Sequence, residues 1–110
     1  MTEPLFHIVA EPVWLAAVEQ GSYAPASLPE QGFVHFSYRD QVAGTANLLY
    51  HQQQDLVVVE FDPARLGAPV VVEDLYDAGQ EFPHVYAAIP IEAAVAVHPL
   101  QRDGQGNFRF

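Results

Sequence analysis

Three histidines stand where acid–base chemistry could be done. His7, His35 and His84 each interrupt an apolar, strand-like segment, at LFHIV, FVHFS and PHVY. Imidazole titrates near neutrality and can act as general base or acid, the role assigned to His35 or His84. Glu73 ends an apolar run, PVVVE. Ser37, Tyr86, Tyr23 and Ser27 add hydroxyl groups, the last two within a long polar loop. An unpaired imidazole or phenol among apolar neighbours costs ~1–3 kcal/mol, and a shared polar cleft removes that cost. The expectation is that His7, His35 and at least one of His84 and Tyr86 converge on one concave site. The plainer reading gives each histidine its own backbone partner as a satisfied core residue. His51, after a helix, and His98, before Pro99, are read as structural.

Other chemistries fit less well. His7, His35 and His84 with Glu73 could supply zinc ligands, but the chain has no H-x-x-H or H-E-x-x-H pair, and no metal is expected. Ser27 or Ser37 could serve a hydrolytic triad, but the G-x-S-x-G elbow is absent. Ser37 or Asp40 is the expected cap of the helix that follows. No G-x-G-x-x-G is present. The chain has no cysteine and no lysine, which removes disulfides, thiolate chemistry, Schiff bases and a P-loop. Fourteen acidic residues against four arginines give a net charge of -10, which disfavours nucleic acid and anionic membrane as partners.

The elements that must position these residues read as follows. Residues 5–9 form a strand with Phe6 and Ile8 on one face and Leu5, His7 and Val9 on the other. Residues 11–20 form a helix with Pro12 in its first turn, Gly21 as its stop, and Val13, Trp14, Ala17 and Val18 as its apolar stripe. Residues 21–32 form a long loop with room for one helical turn, and 33–37 a strand with Phe33, His35 and Ser37 on one face. Residues 40–51 form the second helix, with Val42, Ala46 and Leu49 buried. Residues 56–62 (LVVVEFD) form a central strand buried on both faces. Strands follow at 69–74, 83–88 and 93–100, then a hairpin turn at Asp103-Gly104 before residues 108–110. Tyr50, Tyr76 and Trp14 are aromatic rings expected at the core edge. With 110 residues and half of them hydrophobic, the chain suits one domain, 1–110, with one core. The start, MTEPLFHIVAEPVW, lacks a basic stretch before a long apolar run, so the expected location is cytoplasmic. No apolar run approaches the ~18 residues a membrane helix needs.

Taken together, FHIV at 6–9, Trp14, the G-S-Y-x-P-x-S-L at 21–28, GFVHFS at 32–37, Gln41, Ala46-Asn47, Tyr50, LVVVEFD at 56–62, Glu73 and FPHVY at 82–86 resemble a small bacterial family, domain of unknown function 952. The likeness runs over residues 5–97. More distantly, the family is similar to the ADP-ribosyltransferase-like fold, in which a first strand bears H-G-T and a second reads V-H-L-S. His7 stands at the first histidine, though Ile8-Val9 replace Gly-Thr, and Val34-His35-Phe36-Ser37 matches the second strand. The resemblance implies an α+β fold, with a split or strongly bent, mainly antiparallel sheet and two helices. It implies NAD, or another nucleotide, as the ligand, with His7, Trp14, Tyr23, Ser27, Ser37 and Tyr86 binding it. Glu73 would stabilise positive charge developing on a ribose-like centre. Two functions stand: a small-molecule binder or transferase with a His-lined cleft, or a non-catalytic partner-binding module whose histidines are structural.

Overall fold

The computed structural model describes residues 3–25, 27–75, 77 and 79–110. The chain opens with β1 (Leu5–Ala10), which alternates as expected and lies between two apolar clusters. Leu5 and Val9 join the larger cluster with Trp14, Phe36 and Phe61, whereas Phe6 and Ile8 join Val42, Ala46 and Phe108 on the opposite face. β4 (Leu56–Phe61) does the same: Val57, Val59 and Phe61 go one way, Leu56 and Val58 the other. β1 and β4 pair antiparallel, with His7 opposite Val59, and β8 (Ala94–Pro99) flanks β4. β4 is therefore a central strand covered on both faces, as its β-branched run requires.

A second three-stranded sheet runs in the order β3 (Val34–His35), β6 (Phe82–Val85), β5 (Val70–Glu73). Reciprocal backbone bonds of 2.8 Å between Phe6 and Ser37 stitch β1 to the end of β3, and these join the two sheets. The result is a mixed α+β fold with mainly antiparallel pairing, split into two three-stranded halves. β2 (Ser22–Tyr23) pairs with β7 (Ile89–Pro90), and β9 (Gln101–Arg102) with β10 (Phe108–Arg109) across the expected turn. Asn47 clamps β10 to the second long helix, its side chain accepting from the Phe108 N–H at 2.7 Å and donating to the Phe108 carbonyl at 3.1 Å.

Helix α1 (Glu11–Gln20) has the expected ends. Gly21 adopts φ 80°, and its N–H reaches back to the Ala17 carbonyl at 2.9 Å. A Cβ there would meet no atom within 4 Å, so the cost of substitution is conformational only. Gly21→Ala should lower stability by about 1 kcal/mol in urea denaturation, with no change in the slope.

Several expectations need correction. Only Trp14 and Ala17 of the proposed α1 stripe are buried; Val13 and Val18 face out, because α1 meets the sheets along a narrow line. The loop at 21–32 holds its one helical turn as a short third helix, α2 (Ser27–Gln31), and also contributes an unforeseen strand, β2. The strand expected at 33–37 is regular only at β3, although Val34 and Phe36 still enter the core. The second helix is a 3₁₀ turn at Arg39–Gln41 followed by α3 (Val42–Leu49), in which Thr45 replaces Leu49 as a buried position. Neither Ser37 nor Asp40 caps it; the Gln41 side chain accepts from the Tyr38 N–H at 3.0 Å. Tyr76 lies outside the described residues. No helix among the described residues is long and apolar enough to cross a membrane.

Candidate functional site

The site begins on β1. His7 shares a face with Leu5 and Val9, and its ring lies between those of Tyr23 and Phe36. Its Nδ1–H donates to the His35 carbonyl at 2.7 Å, so Nε2 is left to accept, and the Tyr23 hydroxyl donates to it at 2.7 Å. Burial pushes the imidazole pKa down to about 4, against the opposing pull of the His35 carbonyl. Burial, with Tyr50 nearby, also holds the Tyr23 phenol well above its ordinary range. Both groups are therefore neutral at pH 7, and their bond has one direction.

The second half of the site is built by strand pairing. His35 on β3 sits opposite His84 on β6, and β6 pairs with β5 so that Glu73 is diagonal to His84. The Glu73 carboxylate accepts from the Tyr86 hydroxyl and from His84 Nδ1–H, the latter at 2.8 Å. Those two bonds, Tyr86 first, hold its pKa below the usual carboxylate range. With Nδ1 donating to Glu73, His84 Nε2 accepts from His35 Nδ1–H at 3.2 Å. Desolvation first, then the neighbouring His84 and His7, lowers the His35 pKa to about 4. His84 is 0% exposed and stacks on Phe33 at 4.2 Å and 25°. A carboxylate, two imidazoles and the cleft wall thus form one ordered line: Glu73, His84, His35.

A cleft of about 740 Å³ opens over this line, within the range of small-molecule sites. His7, Tyr23 and His35 form its polar floor. Ser27 and Gln31 of α2 line one side, and Thr45, Leu48 and Leu49 of α3 the other. Among the described residues no Asp, Glu or Arg lines it.

Of the residues singled out from sequence, His7, His35, Tyr23 and Ser27 line the cleft. His84 and Glu73 sit behind His35 and reach the cleft through it. Tyr86 is 48% exposed and touches Glu73 from outside. Ser37 is buried and acts through its backbone bridge to Phe6. Trp14 is core: it meets Tyr23 edge-on at 5.8 Å and does not line the cleft. His51 donates to Asn107 and His98 to Glu60, away from the site. Sequence reasoning missed the α3 wall; Leu48, off the line of Val42, Ala46 and Leu49, is the signal that pointed to it. Among the described residues no group of three His, Asp or Glu side chains is placed to hold a metal ion. His7 uses both ring nitrogens on protein partners.

Tyr23→Phe deletes the donor to His7 Nε2 and leaves the ring packing in place. It should cost about 1–2 kcal/mol, because a buried acceptor loses its partner. Urea denaturation of Tyr23→Phe and wild type checks this.

No functionally curated protein matches the chain. The crystal structure of protein CC0527 from Caulobacter crescentus is similar to it, with a TM-score of 0.83 and 26% identity, covering 96% of this chain and 93% of that one. The solution structure of the same Caulobacter protein gives a TM-score of 0.73 at 24% identity, over 94% and 90% of the two chains. The family model described as protein of unknown function (DUF952) matches residues 8–97, a span that contains β3, the Glu73–His84–His35 line and both walls of the cleft. The chain therefore belongs to the DUF952 family.

Proposed function

We propose that this chain is a cytoplasmic protein that binds a small organic molecule in the cleft over His7, Tyr23 and His35, and that the Glu73–His84–His35 line serves acid–base chemistry there. The observation that carries the reading is the direction of that line. A carboxylate fixes the tautomer of a buried imidazole, which orients a second imidazole in the cleft wall, the arrangement that enzymes use to hold a base in one protonation state. In this reading Glu73 is a positioning residue acting through His84, not a group that meets a ribose-like centre. His35 is the group that meets the ligand.

The resemblance to ADP-ribosyltransferases supplies the ligand class to try first, NAD or its parts. What supports it here is a sheet in two halves joined at the first strand, with His7 on that strand and Tyr23 bonded to it. The net charge of -10 supports a small molecule rather than a nucleic acid.

A second reading has an observation in its favour. His7, His51, His84 and His98 each bond a protein side chain, as purely structural histidines do. A non-catalytic partner-binding module would look the same in these four contacts.

Thermal-shift measurements against NAD, nicotinamide and nucleosides, run on wild type and His35→Ala, separate the two. A ligand at ~100 times its dissociation constant adds ~2.7 kcal/mol, a shift of several degrees for a chain of this size. The cleft reading expects that shift in wild type and its loss in His35→Ala. Equal shifts in both proteins, or none in either, favour the module.

A further inference from the structure

We infer that the cleft takes an uncharged ligand with a polar end and an apolar body, and rejects compounds whose buried portion carries phosphate or carboxylate. The inference rests on the reading of the cleft as a ligand site and adds the class of molecule it selects.

Three independent features of the chain lead there. The first is where its cations are. There is no lysine, and each of the four arginines is committed elsewhere. Arg39 lies over the Phe6 ring at 4.7 Å and reaches Glu60 at 4.0 Å. Arg65 pairs with Asp62 at 3.5 Å. Arg102 donates to the carbonyls of His51, Gln53 and Gly106 over the Phe108 ring. Arg109 lines a different cavity, beside Asp103. Among the described residues nothing positive lines the cleft to meet an anion.

The second feature is the state of the floor. His7 and His35 are both neutral at pH 7, so they offer dipoles and not charge. An anion buried there would lose water and gain no counter-ion, and a net charge of -10 would oppose its approach.

The third feature is the division of the lining. The polar groups, His7, Tyr23 and His35, lie together on the floor. The α3 side of the rim is apolar, with Leu48 81% exposed and Leu49 59% exposed, whereas the exposed polar side chains of the lining, Gln31 and Gln80, are uncharged. Two adjacent leucines left in water at the mouth of a polar-floored cleft fit a ligand whose polar end goes down and whose apolar body covers them. A dinucleotide could satisfy this only with its phosphates outside the cleft.

The test is a fragment set of matched neutral and anionic pairs, nicotinamide with nicotinate and adenosine with AMP among them, titrated at pH 7. Binding is followed in ¹H–¹³C spectra at the Leu48 and Leu49 methyl groups, which localise it to the rim. The expected result is that saturable shifts at these methyls come from neutral members, with each anionic partner at least about tenfold weaker. Leu48→Arg, at a position exposed enough to accept the change, should raise the affinity of the anionic partners by about tenfold or more. Anionic members binding as well as their neutral partners would overturn the inference and leave the cleft reading standing. Absence of any shift at these methyls across the set would overturn both.

Discussion

Lowering the pH from 7 to 4 destabilises the folded chain by several kcal/mol, with about 3 kcal/mol from His7 alone. The sign follows from where the proton binds. In the unfolded chain His7 has its ordinary pKa of 6.5, and in the fold burial takes it to about 4. Between those values the unfolded state holds the proton and the folded state does not, so stability falls as pH falls. The loss begins near pH 6.5 and is complete below about 4. Each tenfold change in proton affinity is worth ~1.4 kcal/mol, which gives the figure for His7. His35 is lowered to about 4 by the same main cause and adds loss in the same window. Glu73 and Asp103 have pKa values below the usual carboxylate range, so their contributions are lost further down, as pH falls through their folded values. Urea denaturation at pH 7, 5.5 and 4 measures the slope, and His7→Phe should flatten it between 6.5 and 4. A stability that is level across that window contradicts the account.

Trp14→Ala has the other large effect. Trp14 is 4% exposed and meets two rings edge-on, Tyr23 at 5.8 Å and 70° and Phe61 at 5.8 Å and 88°. Truncation removes the transfer energy of the indole and opens a cavity between α1 and β4, at a cost of about 3–5 kcal/mol. The position also ties the core to the site. Trp14 packs edge-on against the Tyr23 ring whose hydroxyl donates to His7, so the truncation should loosen that bond as well. Trp14→Phe, which keeps an aromatic edge in place, should recover more than half of the lost stability. Equilibrium denaturation of the two variants checks both figures, and a loss under about 1 kcal/mol for Trp14→Ala would contradict this role for the indole.

What could be read from the sequence was what is local in the chain. The alternation of LFHIV and the β-branched run of LVVVEF specify strands with two buried faces, and β1 and β4 have them. Pro12 and Gly21 mark the ends of α1 because their backbone limits act within one turn. The faces of the helices were less legible. Val13 and Val18 of α1, and Leu49 of α3, follow helical spacing, but which side meets the sheet is decided by residues far along the chain. The site shows the same division. That His7 and His35 needed polar partners could be argued from their apolar neighbours. That His35 would lie opposite His84, 49 residues away, with Glu73 diagonal to His84 on its other side, depends on the register of β3, β6 and β5. No local pattern encodes that register. Trp14 was drawn into the ligand set by the resemblance, and its burial assigns it to the core instead.

The central claim is that His7 and His35 are neutral and that the hydrogen bonds of the three site imidazoles run in one direction. ¹⁵N NMR of the histidine rings at pH 6 tests it most directly. The account predicts His7, His35 and His84 each protonated at Nδ1, with His7 Nε2 and His84 Nε2 showing the shifts of hydrogen-bonded acceptors. Addition of a cleft ligand should move the His35 signals and leave the His7 tautomer unchanged. Imidazolium signals for His7 or His35 at pH 6, or a His84 protonated at Nε2 rather than Nδ1, would contradict it.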